Sequence, residues 1–118
     1  MPKEDFIMKQ IEKFAQVIAA LLRLQKKGQN TEIVTIGEQT IGKLLENPLP
    51  SAIELETIAQ IYNILGDTYT NLSQNEKARN SYNKSLIYYQ KLSEKDKTFS
   101  FERENTIFDL KNKILIPQ

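Results

Sequence analysis

The chain has 118 residues, a net charge of +1, 40% hydrophobic and 26% charged residues, which suits one ordinary globular domain. It contains no cysteine and no histidine, which excludes thiolate nucleophiles, disulfides, Cys/His zinc centres and the commonest general base. A charge this close to neutral gives no overall pull towards nucleic acid or an anionic membrane, and the lack of cysteine fits a reducing cytoplasm.

The N-terminal stretch Met1-Pro2-Lys3-Glu4-Asp5 is mixed in charge, and Lys9, Gln10, Glu12 and Lys13 interrupt the apolar run after it. Neither a signal peptide nor a membrane span is expected, and the cytoplasm is the default location. Ile7, Ile11, Phe14, Ile18, Leu21 and Leu22 recur at helical spacing, widened by Phe6, Val17 and Leu24. Lys26, Lys27 and Gly28 make a normal helix stop, so the first helix is predicted over 3–27.

A second helix, capped by Asn30 or Thr31, carries Ile33, Ile36, Ile41, Leu44 and Leu45 and ends at Asn47-Pro48-Leu49-Pro50. Ser51-Ala52-Ile53-Glu54 has the capping-box pattern and opens a third helix bearing Ile53, Ile58, Ile61, Leu65 and Leu72. Ser73-Gln74-Asn75-Glu76 repeats the pattern and is expected to start a fourth, with Ala78, Tyr82, Leu86, Tyr89 and Leu92 on its apolar face. A polar turn at 93–97 precedes a fifth helix over 98–115, which places Phe101, Phe108 and Leu115 at heptad spacing beside Ile107, Leu110 and Ile114.

The third and fourth helices contain Tyr62-x-x-Leu65-Gly66-x-x-Tyr69 followed by Ala78-x-x-x-Tyr82. This resembles the tetratricopeptide (TPR) repeat, W-x-x-L-G-x-x-Y…A-x-x-x-F, aromatic for aromatic. The spacing has a packing logic: Tyr62, Leu65 and Tyr69 share one helical face, Gly66 and Ala78 are small where two helices approach, and Tyr82 inserts between them. Ser85 stands where the family prefers alanine and Gln90 where it has proline. The first two helices match more weakly, with Leu21 in place of the small glycine. The opening stretch Asp5-Phe6-Ile7-Met8 through Leu24-x-Lys26-x-Gly28 resembles the start of short bacterial helical proteins of unknown function. The expected fold is therefore all-α: a five-helix antiparallel array, with a degenerate hairpin at 3–47, a TPR-like hairpin at 51–92 and a capping helix at 98–115.

No residue pattern points to catalysis. Glu54 and Glu56, or Glu102 and Glu104, lie two apart and point to different sides of a helix; phosphate-loop and metal motifs are missing from the sequence, and no cofactor is expected. Lys9, Lys13, Arg23, Lys26 and Lys27 fall opposite the apolar stripe, where an amphipathic helix puts its charges anyway. Three of the five tyrosines occupy repeat positions and read as core, with Tyr88 the most exposed.

In the repeat family the first helix of each hairpin lines a groove for a partner peptide. The corresponding residues are Gln60, Asn63, Asp67, Thr70 and Asn71, polar groups suited to bonding an extended backbone. Asn63 fits the family's carboxylate-binding chemistry, whereas Asp67 opposes it. The expectation is a non-enzymatic interaction or scaffolding module with a protein or peptide partner and no role for nucleic acid or membrane. The alternative is a homo-oligomer, a possible homodimer through the apolar first helix or the Phe-bearing last one. The wide apolar arc of helix 1 fits either that face or a central position between helices 2 and 3 under helix 5.

Overall fold

A computed structural model describes residues 3–115, so Met1 and Pro2 of the mixed-charge stretch lie outside it. Among the described residues the chain is all-α, with five helices and no strand: α1 (Lys3–Lys26), α2 (Asn30–Leu44), α3 (Ala52–Asn71), α4 (Asn75–Lys95) and α5 (Phe101–Leu115).

The helix ends follow local chemistry. Gly28 takes a left-handed φ of 69°, and the Gln29 amide donates to the Leu24 carbonyl at 3.0 Å, closing α1 with a Schellman turn. At α3 the Ser51 hydroxyl accepts from the Glu54 amide (3.1 Å) while the Glu54 carboxylate accepts from the Ser51 amide (3.0 Å), the expected capping box. Asn47 donates to the same carboxylate at 3.1 Å and ties the proline linker to it. Ser100 caps α5, accepting from the Arg103 amide at 3.2 Å.

Two capping expectations are corrected. Ser73 does not cap α4; it sits at φ 59° as the left-handed residue that closes α3, with the Gln74 amide bonded to the Tyr69 carbonyl at 2.8 Å. Gln29 rather than Asn30 or Thr31 precedes α2, and neither it nor Gln74 makes a side-chain cap. The two turns are copies of one another. Gly28-Gln29-Asn30 and Ser73-Gln74-Asn75 pair a left-handed residue with a Gln at ψ 70° and 71° respectively.

Packing makes α3, not α1, the central helix. Leu55, Ile58, Ala59, Ile61, Ile64, Leu65 and Tyr69 are buried, and α1, α2 and α4 all pack on α3 while α5 packs on α4. α1 touches α2 and α3 as expected, but α5 packs on α4 and does not cover it: Phe6, Ile7, Met8, Ile11 and Leu22 remain exposed. On α5 the inward residues are Leu110, fully buried, with Ile107 and Ile114 half-buried, so the Phe101, Phe108 and Leu115 row faces outward.

The α3–α4 contact is closest at Gly66. A Cβ there would land well inside contact distance of the Tyr82 ring, and Ala78 is fully buried in the same pair. Ser85 is also buried, its hydroxyl donating to the Ala59 carbonyl at 2.6 Å, so its polar group is satisfied across the helix pair.

The glycines of the helices give a graded test of this packing. Gly66→Ala is expected to lower stability by ~1–3 kcal/mol through overpacking. Gly37→Ala should cost less, because the nearest obstacle is a Leu65 methyl at 3.0 Å that can shift. Gly42→Ala, with nothing within 4 Å, should raise stability by about 0.5–1 kcal/mol. Urea denaturation ranks the three, and a neutral Gly66→Ala would refute the close approach.

Candidate partner-binding face

An open face of α3 is a row at three- and four-residue steps: Ile53, Glu56, Gln60, Asn63, Asp67 and Thr70, with Asn71 beside its end. It is flanked on both sides. Glu56 and Gln60 line a groove with Ile11, Ala15, Ile18 and Leu22 of α1, about 550 Å³ in volume. The same two residues line a smaller cleft with Ser100, Glu102, Arg103 and Thr106 on the α5 side.

The five residues expected to bind a partner do not form one free surface. Gln60 stays in the groove, half-buried. Asn63 and Asp67 are both engaged by Lys113 of α5, whose ammonium donates to Asn63 Oδ1 at 3.1 Å and to Asp67 Oδ1 at 3.0 Å. Asp67 Oδ1 also accepts the Tyr82 hydroxyl at 2.6 Å. Thr70 donates to the Gly66 carbonyl at 2.9 Å and lies 3.3 Å from the Tyr82 oxygen. Asn71 is exposed at the helix end.

The partner of Asn63 and Asp67 is thus a lysine of α5, 50 and 46 positions away. Lys113 also sits over the Tyr82 ring, 5.1 Å from its centroid. Spacing on α3 gives no sign of a partner this far along the chain. The apolar groove wall on α1 was foreshadowed by the excess width of that helix's apolar arc.

Burial, and then the hydrogen bond to Asp67, push the Tyr82 phenol up from 10.0 to about 12. Burial and the 2.5 Å bond to Glu38 do the same for Tyr69, also to about 12. These tyrosines are core residues that hold acceptors in place. Tyr88 is half-buried and stacks on Tyr62 with ring centroids 5.9 Å apart. Lys9, Lys13, Arg23, Lys26 and Lys27 are exposed.

Among the described residues no group of three or more acidic, His or Cys side chains is placed to hold a metal ion, and no helix is long and apolar enough to cross a membrane. The chain belongs to DUF6483, a family of unknown function that matches residues 1–107. This accords with the likeness of its N-terminal region to proteins without an assigned role. No curated protein and no solved structure matches it.

Asp67→Ala should destabilise the fold by ~1–2 kcal/mol, a hydrogen bond to a charged group discounted for partial exposure. Amide exchange should quicken in α5; unchanged exchange there would mean that Lys113 does not hold that helix. A second expectation concerns alkaline pH. The fold favours the protonated phenols of Tyr69 and Tyr82, raised from 10.0 to about 12, so the stability they contribute is whole below pH 10 and lost as pH rises through 12. Tyrosinate absorbance titrated alongside thermal melts checks this, and melts independent of pH across that window would contradict it.

Proposed function

For this member of DUF6483 we propose a non-enzymatic docking module of TPR-like build that receives a partner helix or peptide in the groove between α1 and α3. The observation that carries the reading is the meeting, in one groove, of an uncovered apolar helix face with the polar row of the central helix. Binding sites commonly combine an apolar lining with a few placed polar groups, here Gln60 and Glu56.

The TPR-like build is supported by three features. Tyr82 lies against Gly66 where the repeat pattern has its small residue. The two helical hairpins are turned by the same left-handed closure. The α3 row is bordered by α1 on one side and α5 on the other, as first helices of successive hairpins are arranged. Because Asn63 and Asp67 already hold Lys113, the docking residues shift towards the start of α3 and onto α1.

Glu56→Arg with Gln60→Arg tests the groove. Both side chains are at least partly exposed, so the thermal melt should be unchanged within the ±0.5 kcal/mol typical of surface substitutions. Binding to any partner, a differently tagged copy of the chain included, should fall. Undiminished recovery of the same partners by affinity capture would sink the proposal.

A further inference from the structure

We propose that the occupant of the α1/α3 groove is α1 of a second copy of this chain, laid antiparallel across a two-fold axis. The inference rests on the docking reading above and names the partner of that same groove.

The stripe on α1 is patterned for a helix rather than for an extended peptide. Met8, Ile11, Ala15, Ile18, Leu22 and Gln25 follow one another at alternating three- and four-residue steps, the spacing of a two-helix seam. Met8, Ile11 and Leu22 are 55%, 42% and 44% exposed in the single chain, and Ala15 is exposed with them. On one edge of this seam α3 supplies Ile53, Thr57 and Gln60. A helix lying in the groove therefore touches both α1 and α3, and a two-fold axis lets each copy's α1 do so at once.

The charges select the orientation. Asp5, near the start of α1, and Lys26, at its end, occupy the same flanking position of the repeat, and both are exposed. Arg23 and Lys27 add to the positive end. A parallel pair would gather the cations of both copies at one end. An antiparallel pair sets Asp5 against Lys26 of the second copy, twice by symmetry, and places Ile11 opposite Leu22 and Ala15 opposite Ile18. Asp5 and Lys26 belong to neither of the two ion pairs found among the described residues. The small Ala15, near the middle of the seam, permits close approach of the backbones. The groove is thus complementary in shape class and in charge order to the helix that forms its wall.

Because the chain has no cysteine, single-cysteine variants report the pairing without interference. Sedimentation across a concentration series should show a dimer. A short bis-maleimide should link a mixture of Ile11→Cys and Leu22→Cys chains well above either variant alone. Ile11→Glu with Leu22→Glu, both at half-exposed positions, should weaken self-association at least about a hundredfold while leaving the helical circular dichroism intact. A chain that stays monomeric at about 1 mM, homotypic links that dominate the mixture, or a dimer indifferent to the double substitution would each overturn the proposal. A monomer that still captures other proteins in a manner sensitive to the Glu56 and Gln60 changes would remove the second copy and leave the docking groove standing.

Discussion

The rest of the molecule depends on how closely α3 and α4 approach at Gly66. With no side chain there, the Tyr82 ring lies against the α3 backbone. Its hydroxyl then reaches past that backbone to Asp67 and Thr70. Asp67, fixed by this bond, presents its carboxylate to Lys113 and so fixes where α5 comes to rest. One missing methyl group thereby sets the separation of two helices, the rotamer of a tyrosine and the seat of a third helix. Ser85 adds a second pin along the same pair by satisfying its hydroxyl on the Ala59 carbonyl, which removes most of the cost of burying it.

A helix packed on three sides has little surface left for water, and that constraint accounts for the polar row on α3. Two of its members, Asn63 and Asp67, serve the fold by holding Lys113. The ion pair is about one-third exposed on each side, with relative exposures of 32% and 37%, so it orients α5 more than it stabilises the domain. Arg103 makes a comparable anchor at the other end of α5, bonding the Asp96 carboxylate at 3.1 Å. Between these polar ties only Leu110 is fully buried on that helix.

Local features were legible in the sequence because they involve neighbours in the chain: five helices, the Gly28 stop, the Ser51–Glu54 capping box, the Gly66–Tyr82 packing. Ser73–Glu76 misleads because two local solutions compete for one serine. The Schellman closure of α3 satisfies two carbonyls and takes the residue into the left-handed region, from which its hydroxyl no longer caps the next helix. The repeated Gln-Asn after Gly28 and after Ser73 is the sequence trace of that shared turn. Helical period fails differently on α5 and α1. It reports which residues share a face but not which face a neighbour covers, so it left open whether the Phe101, Phe108 and Leu115 row is covered and whether α1 is central. The Lys113 contact was invisible for a third reason: it joins residues 50 positions apart.

The two exposed apolar faces at the ends of the array differ in kind, and the difference bears on the proposed docking. On α5 the outward row is Phe101, Phe108 and Leu115, one residue in every two turns, with Asn105 and Asn112 between them. Phe101 meets Phe99 edge-on at 4.9 Å, and both rings stay exposed. Scattered exposed side chains of this sort are normal on a monomer's surface. On α1 the residues run without a polar break from Met8 through Ile11, Ala15 and Ile18 to Leu22, and they continue into a groove against α3. A contiguous stripe beside a groove keeps the cost of hydrating apolar surface concentrated in one place, where a single helix can relieve it. The α5 end is tied down by its own lysine and arginine, while the α1 end offers both the apolar surface and the space. That contrast is why the proposed pairing is placed on α1 rather than on α5.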